Sequence, residues 1–317
     1  MKTKTTKALV LLSGGLDSTL AMKLLLAQGI EVEGITFFTN FYSAEKAKQV
    51  AKQMDIFWRA IDISKEFLEV LKKPKHGFGA GLNPCIDCHA LMLKKAGEIM
   101  RQEGFDFVAT GEVLGERPMS QHKKALKIVE QDADLEGYLL RPLSAKLLEP
   151  TIPEKQGLVE REKLLGIFGR SRKRQMELAA KFGIKNYPSP GGGCALTQSG
   201  FAERLKELMK HKPDFICEDV DLIKIGRHFW PFDKLRVENV QIILGRNQEE
   251  NKILVSAAKK EDILIEPKDF AGPTALLRGA QILEQAIEKA KELILQFSPK
   301  AADAKQLTFR IVGDINK

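Results

Sequence analysis

One short segment near the start of the chain constrains the fold more than any other. Residues 11–20 read LLSGGLDSTL and continue an apolar run, 8–12, that is typical of a buried β-strand. Two glycines end this strand, and an apolar-periodic stretch that Gly29 stops predicts a helix directly after them. In this order, loop N–H groups and the helix N-terminus can face a bound phosphate. The segment therefore predicts an α/β fold with a phosphate-binding loop.

Strand-like and helical segments alternate from this loop to about residue 111. The predicted strands are 7–12, 31–38, 57–63 and 105–110, and the predicted helices are 17–28, 43–54 and 85–103. Such alternation predicts a parallel sheet with helices on both faces, in which ligands bind beyond the carboxyl ends of the strands. Ser13, Thr36 and Gly111 lie at such ends.

The pattern changes after residue 211. Three further helices are predicted before it, at 154–168, 171–182 and 201–210. Beyond it, strands at 222–225, 240–244, 263–265 and 274–277 mix with helices at 247–259 and 280–296. This α+β texture predicts two domains, an α/β domain at 1–210 and a smaller α+β domain at 211–317.

Composition and cysteine usage limit the partners, the cysteine chemistry and the cellular location that we expect. The formal net charge is +8, which permits a polyanionic partner. Only four cysteines occur, Cys85, Cys88, Cys194 and Cys217, which favours metal, cluster or redox chemistry over a disulfide framework. The early apolar run is too short for a signal segment, and no run is long enough to span a bilayer. We therefore expect a cytoplasmic protein without a membrane partner.

The phosphate loop differs from the common nucleotide-binding loop. A Walker loop needs a GxxxxGK segment followed by Ser or Thr, and none is present. Here the glycines would let N–H groups approach phosphate oxygens, the hydroxyls would add donors, and Asp17 would help to hold Mg²⁺. The predicted loop residues are Ser13, Gly14, Gly15, Asp17 and Ser18.

The string SGGLDS resembles the PP-loop of the HUP-type ATP pyrophosphatases. The resemblance implies that ATP is cleaved between its α and β phosphates, giving a substrate adenylate and pyrophosphate. It also implies further ATP contacts at Thr36, Phe37, Thr110, Gly111 and Glu112. Arg141, in the segment LLRPLS, matches a position beside the nucleotide pocket, where an ordinary salt bridge is the alternative role.

Three segments resemble those of the tRNA thiouridylases: NPCIDCH, FDFVATGE and YPSPGGGCALT. In the MnmA-like branch an aspartate usually stands at the position of Cys85, whereas three cysteines resemble the TtuA-like branch, which binds a [4Fe–4S] cluster. The resemblance thus implies cluster ligation and catalysis by Cys85, Cys88 and Cys194, with Asp17 as a further catalytic residue. The residues themselves leave open a zinc site that includes Cys217, a persulfide relay between two of the cysteines, or inert buried thiols.

The implied reaction is ATP-dependent tRNA thiolation. A uridine carbonyl oxygen attacks the α-phosphate, pyrophosphate leaves, and sulfide displaces AMP to give a thiouridine. The implied partners are tRNA and a sulfur donor, with a homodimer left open. The competing hypotheses are an amide-forming or lysidine-type PP-loop ligase with a structural zinc, and a non-catalytic RNA-binding module.

Two regions carry predicted RNA contacts. Cations at a helix start oppose the helix dipole, so the basic residues there would need a partner such as RNA phosphate, with a solvated turn as the alternative. These residues are Arg170, Arg172, Lys173 and Arg174. Residues 242–279 resemble the RNA-binding domain of NFACT proteins, which implies RNA contacts by Arg246 and Asn247. The likeness is carried by Gly245, Arg246, Asn247, Asn251, Asp262, Gly272 and Pro273.

Overall fold

The chain divides into two compact units, Met1–Gln198 and Ser199–Lys317. The computed structural model describes residues 5–185, 187, 193–231, 240–279, 282–299, 301 and 306–313. Each unit has its own sheet and its own apolar core.

A five-stranded parallel sheet forms the centre of the first unit, in the order β3-β2-β1-β4-β5. Its strands are β1 (Lys7–Leu11), β2 (Glu31–Phe38), β3 (Trp58–Asp62), β4 (Phe107–Ala109) and β5 (Leu139–Leu140). Its helices are α1 (Leu16–Leu26), α2 (Glu45–Met54), α3 (Ser64–Lys72), α4 (Cys85–Glu103), α5 (Lys123–Asp132), α6 (Ile152–Lys155) and α7 (Lys173–Lys181). This parallel architecture confirms the predicted fold class.

The strands of this sheet are buried on both faces. Ala8 and Val10 of β1 pack into one core cluster, and Leu9 between them packs into the other. Successive side chains of a strand point to opposite faces, so a strand covered on both sides needs a continuous apolar run. This requirement explains the uninterrupted apolar sequence before the phosphate loop.

The strand order reverses beside β1. The strands β2 and β3 lie on one side of β1, whereas β4 and β5 lie on the other. Ligands of open parallel sheets bind where the order reverses, outside the carboxyl ends of the two strands concerned. The segments 12–15 and 110–112 leave β1 and β4 at this point, so the fold brings the two predicted nucleotide segments to one edge.

The second unit contains an antiparallel five-stranded sheet in the order β10-β8-β9-β7-β6. Its strands are β6 (Arg227–Phe229), β7 (Gln241–Leu244), β8 (Ile263–Pro267), β9 (Ala275–Arg278) and β10 (Phe309–Val312). Its helices are α8 (Ser199–His211), α9 (Cys217–Leu222), α10 (Gln248–Ala257) and α11 (Glu284–Gln296). Ile242 and Leu244 pack with α11, while Ile243 packs with α9 and α10. Helices therefore cover both faces of this sheet, and the smaller α+β domain is confirmed.

Two predicted elements are wrong. The helix at 154–168 is replaced by the short helix α6 and a 3-10 turn at Arg161–Lys163, because Gly157 adopts a left-handed φ of +72° that ends α6. The strand at 222–225 is the end of α9 and a turn, in which the Ile225 N–H donates to the Leu222 carbonyl. The helix start at 280–281 lies outside the described residues.

Candidate nucleotide and thiol site

The loop after β1 is held in shape by its own hydrogen bonds. The Gly15 N–H donates to Ser13 Oγ at 3.3 Å, and Ser18 Oγ donates to the Gly15 carbonyl at 3.0 Å. The two serine hydroxyls lie 3.1 Å apart. Gly14 has a φ of +74°, and an added Cβ would lie 2.4 Å from the carbonyl carbon of Lys46. Only glycine fits there, so the loop is preorganised by its backbone.

The end of β4 lies directly against this loop. A Cβ added to Gly111 would lie 2.3 Å from the backbone nitrogen of Ser18 and 2.5 Å from the carbonyl carbon of Asp17. The structure therefore brings Gly111 together with the N-terminus of α1, as expected if both segments contact one ligand.

Thr36 and Phe37, at the end of β2, use their side chains within the protein. The Thr36 hydroxyl donates to the Leu12 carbonyl and accepts a hydrogen bond from Trp58 Nε1 at 2.8 Å. The ring of Phe37 is buried in the core between the sheet and α4. Thr36 thus ties the strand that enters the phosphate loop to β2.

A buried charge network follows β4. Glu112 accepts a hydrogen bond from Arg141 Nε at 2.9 Å, and Glu112 Oε1 lies 2.9 Å from His89 Nδ1. Arg141 also pairs with Glu130 and donates to the Leu126 carbonyl. Burial by itself would raise the pKa of Glu112, but Arg141 and His89 outweigh it and hold this pKa at about 2. Arg141 thus forms ordinary salt bridges, the role given above as the alternative to a position beside the nucleotide.

Asp17 lies among polar side chains, several atoms of which have no hydrogen-bond partner. Arg172 Nη2 lies 4.0 Å from Asp17 Oδ2, and the Gln175 amide also faces this carboxylate. Burial raises the pKa of Asp17, although Arg172 and Gln175 act to lower it. Among the described residues, Asp17 Oδ1, Arg172 Nε and both amide atoms of Gln175 are buried without a hydrogen-bond partner. Buried polar atoms usually have partners, so this group suits a bound polar ligand.

Sequence analysis missed Gln175 and assigned Arg172 to RNA. The structure places Arg172 just before α7, with its Nη2 atom 4.0 Å from Asp17 Oδ2, and the RNA contact stays a prediction. The one available signal was the spacing of three residues, which sets Arg172 and Gln175 on the same side of the helix start. The other predicted basic residues of this segment are exposed and make no ion pair with any residue that the structure describes: Arg170, Lys173 and Arg174.

In the second unit, Arg246 and Asn247 have local structural roles. Arg246 Nη2 lies 2.5 Å from Glu250 Oε1, and the Arg246 side chain is 44% exposed. The Asn247 side chain caps α10 by accepting a hydrogen bond from the Glu250 N–H at 2.9 Å. An RNA contact by Arg246 therefore has to compete with this ion pair.

Three cysteines of the first unit converge. Cys85 and Cys88 stand three residues apart in the first turn of α4, so they share one side of this helix. Cys194 precedes a 3-10 turn whose Ala195 N–H donates to the Phe41 carbonyl at 3.0 Å. This bond brings Cys194 to the loop that follows β2, where the Tyr42 hydroxyl lies 3.5 Å from Cys88 Sγ. Cys217 is the first residue of α9 in the second unit.

The pKa values of Cys88 and Cys194 are raised by burial and by the neighbouring thiols. Burial raises the pKa of Cys88 to about 12, and Cys194 and Cys85 act in the same direction. Burial also raises the pKa of Cys194 to about 11, opposed by a backbone N–H at Leu196 and assisted by Cys85. Each thiol is therefore close enough to the other two to interact with them.

Every one of these thiols also has a hydrogen-bond partner. Asn83 Nδ2 donates to Cys85 Sγ at 3.1 Å, and the Leu196 N–H donates to Cys194. The Tyr42 hydroxyl lies 3.5 Å from Cys88 Sγ, where either atom can be the donor, and 3.8 Å from Met92 Sδ. Over the ranges that the structure describes, no group of three or more His, Cys, Asp or Glu side chains is arranged so that it could hold a metal ion, the three thiols included. The fit to a Cys-ligated cluster therefore concerns the type of ligand, three thiols with neutral hydrogen-bond partners, and not the spacing of the sulfurs in this structure. Two glycines of the predicted triglycine segment, Gly191 and Gly192, lie outside the described residues.

Two family models match the chain. Residues 3–149 match the thiamine biosynthesis protein ThiI, and residues 226–316 match the NFACT protein RNA binding domain. The first segment is therefore similar to ThiI and the last to an NFACT RNA-binding domain, which confirms the predicted likeness to PP-loop tRNA sulfurtransferases and to NFACT proteins.

Individual relatives cover the chain in part. The tRNA-specific 2-thiouridylase MnmA of Caldicellulosiruptor saccharolyticus is 24% identical over 249 residues, which are 70% of this chain and 64% of that protein. A probable tRNA sulfurtransferase of Thermococcus kodakarensis is 28% identical over 167 residues, 51% of this chain and 41% of that protein. The chain thus matches less than two thirds of the length of either relative. A 4-thiouridine synthetase in complex with RNA and ATP has a TM-score of 0.39 and 20% identity, over 69% of this chain and 52% of that one.

Proposed function

We propose that the protein is an ATP-dependent tRNA sulfurtransferase, which adenylates a uridine carbonyl and then replaces its oxygen with sulfur. One contact carries this proposal. His89, next to Cys88 in the first turn of α4, lies 2.9 Å from Glu112, and Glu112 follows the glycine that touches the start of α1. The thiols and the phosphate loop are therefore neighbours at one edge of the sheet, as adenylation followed by sulfur insertion requires.

The phosphate loop would carry the first step. The uridine oxygen forms a bond to the α-phosphorus while the bond to pyrophosphate breaks. Backbone N–H groups and serine hydroxyls of the loop, with the N-terminus of α1, would stabilise the charge on the departing pyrophosphate. The loop residues proposed for this role are Ser13, Gly14, Gly15 and Ser18.

Asp17 and its neighbours would complete the phosphate site. The free Oδ1 atom of Asp17 is a suitable ligand for Mg²⁺, which prefers carboxylate oxygens together with substrate phosphates. Arg172, with an unpaired Nε, and the Gln175 amide lie beside this carboxylate and could donate to the phosphates. We therefore assign Arg172 to the phosphates of ATP in preference to RNA.

Cys85, Cys88 and Cys194 would carry the second step. They would hold a [4Fe–4S] cluster, which when bound supplies an iron without a protein ligand for sulfide. Asn83 and Tyr42 would orient the sulfurs of Cys85 and Cys88 through the hydrogen bonds described above.

The substrate would be tRNA in the cytoplasm. The net charge of +8, the unpaired basic residues around the start of α7 and the NFACT-type domain all favour an RNA partner. No helix in the described ranges combines the length and apolarity that a membrane span requires. The sulfur donor would be free sulfide or a sulfur-carrying protein, and a homodimer remains a prediction.

Anaerobic purification tests the proposal. We expect a brown protein with about four irons per chain, as a Cys-ligated [4Fe–4S] site requires. Cys85→Ala should lose the iron and the thiolation activity while keeping its affinity for ATP, and the matched control Cys217→Ala should keep all three. A colourless protein that contains one zinc and supports ATP–pyrophosphate exchange would contradict the cluster and favour an amide-forming or lysidine-type ligase.

A further inference from the structure

Phe168 exposes its ring to an unusual extent. Its side chain is 68% exposed, and only Phe57, at 69%, exceeds it among the large hydrophobic residues that the structure describes. A single exposed aromatic residue has no meaning by itself. Phe168 differs from other exposed aromatic residues because its backbone is held in place and because the residues around it lead to the phosphate loop.

The backbone around Phe168 is firmly held. Phe168 forms a parallel bridge with Leu114, and the next residue, Gly169, donates its N–H to the Leu114 carbonyl at 2.8 Å. On the other side, Ile167 is 1% exposed and donates its N–H to the Leu143 carbonyl at 2.8 Å. The ring is therefore attached to a rigid segment, which lowers the entropy that a ligand has to overcome.

The ring of Phe168 packs against the backbone of Gly115. A Cβ added to Gly115, which has a φ of +79°, would lie 2.8 Å from Cε2 of Phe168. The ring thus rests on bare backbone, and most of its remaining surface faces solvent.

The ring lies beside the phosphate loop. Gly115, on which the ring rests, lies four residues beyond Gly111, which approaches the Ser18 backbone, and Arg172 Nη2 lies 4.0 Å from Asp17 Oδ2. Arg172 is only four residues beyond Phe168. The aromatic ring therefore stands at the rim of the site in which the uridine would be activated.

Three basic residues follow Phe168 closely in the sequence. They are exposed and have no ion-pair partner within the described residues: Arg170, Lys173 and Arg174. Proteins that bind single-stranded nucleic acid combine cations that follow the phosphates with aromatic rings on which bases stack. An enzyme that modifies a base must also take it out of the helical stack, which leaves unpaired bases to be held.

We infer that Phe168 is a stacking platform for an unstacked base of the RNA substrate, and that the three flanking cations contact the phosphates of the same strand. The inference rests on the proposed function, since it names the RNA contact of that same site. Stacking on an aromatic ring contributes about 1–3 kcal/mol per base.

The test compares two equally exposed phenylalanines. Phe168→Ala should weaken tRNA binding, measured by fluorescence anisotropy at fixed salt, by about fivefold to a hundredfold. Phe57→Ala is the matched control, because Phe57 precedes β3 and so lies at the amino end of the strands, away from the phosphate loop. ATP affinity, measured by calorimetry, should remain unchanged in both variants.

A second pair of variants reports stacking directly. Phe168→Trp should retain tRNA binding, and tRNA should quench its fluorescence beyond the change seen in the wild type, which contains Trp58 and Trp230. Phe57→Trp should show no additional quenching. These measurements remain informative even if Phe168→Ala folds poorly.

The outcomes separate the inference from the proposed function. Equal tRNA affinities of the two alanine variants, with no added quenching in Phe168→Trp, would refute the platform while wild-type thiolation persists. Loss of ATP affinity in Phe168→Ala would assign the ring to the nucleotide and also refute it. If the wild type neither binds tRNA nor cleaves ATP, the proposed function fails first and the inference falls with it.

Discussion

Gly111→Ala should disturb the phosphate loop from outside it. The added Cβ would lie 2.3 Å from the Ser18 nitrogen, and real Cβ atoms do not approach backbone closer than 3.0 Å. The end of β4 and the start of α1 would therefore have to separate by about 0.7 Å. Overpacking of this kind costs about 1–3 kcal/mol. Because the strain falls on the loop proposed to bind phosphate, we expect ATP affinity to fall by about tenfold to a hundredfold.

Calorimetric titration with a non-hydrolysable ATP analogue measures this loss, and thermal unfolding measures the strain. Gly166→Ala is the control, because the added Cβ would lie 3.4 Å from the Lys146 Cβ, which is an ordinary van der Waals contact. The control should bind the analogue like the wild type. Unchanged affinity and unchanged melting temperature in Gly111→Ala would refute the close approach of β4 to the loop and, with it, our description of the nucleotide site.

Three further predictions concern charge. The pKa of Glu112 is lowered from 4.5 to about 2, so its contribution to stability, about 3 kcal/mol, is present above pH 4.5 and lost as the pH falls towards 2. Glu112→Gln should remove this pH dependence of thermal unfolding. An identical pH dependence in the variant would contradict the charge network around Glu112. Because burial raises the pKa of Cys88 to about 12 and of Cys194 to about 11, both should react slowly with iodoacetamide at neutral pH in iron-free protein, and about tenfold faster per pH unit up to these values. Rapid labelling at neutral pH, seen by mass spectrometry, would contradict the raised pKa of these thiols. Alanine at Arg170, Lys173 or Arg174 should each lower the slope of log tRNA affinity against log salt by about one, whereas unchanged slopes would indicate a solvated turn.

The sequence predicts features that depend on local order. The SGGLDS loop, the alternation of strands and helices and the CxxC at the start of α4 are all set by neighbouring residues, and the structure contains each of them. The helix predicted at 154–168 fails for a local reason too. Its apolar spacing suits a helix, but Gly157 is left-handed, which spacing does not reveal.

Contacts between distant segments could not be predicted in this way. Asp17 meets Arg172 because α7 packs near α1, and Tyr42 meets Cys88 because the loop after β2 faces the start of α4. The partners of Arg141 follow likewise from the packing of α5 beside β4 and β5. Such pairings depend on the tertiary arrangement, and a single sequence carries no signal for them.

The most direct test of the account is to follow ATP cleavage and base modification together. Anaerobically purified protein would be incubated with ATP, Mg²⁺, sulfide and tRNA, and the digested nucleosides would be analysed by mass spectrometry. We predict thiouridine, with one AMP and one pyrophosphate formed for each thiouridine, and neither thiouridine nor iron in Cys85→Ala. AMP and pyrophosphate formed in the presence of tRNA without any thiouridine would contradict the central claim that the phosphate loop and the three cysteines serve one sulfur-transfer reaction.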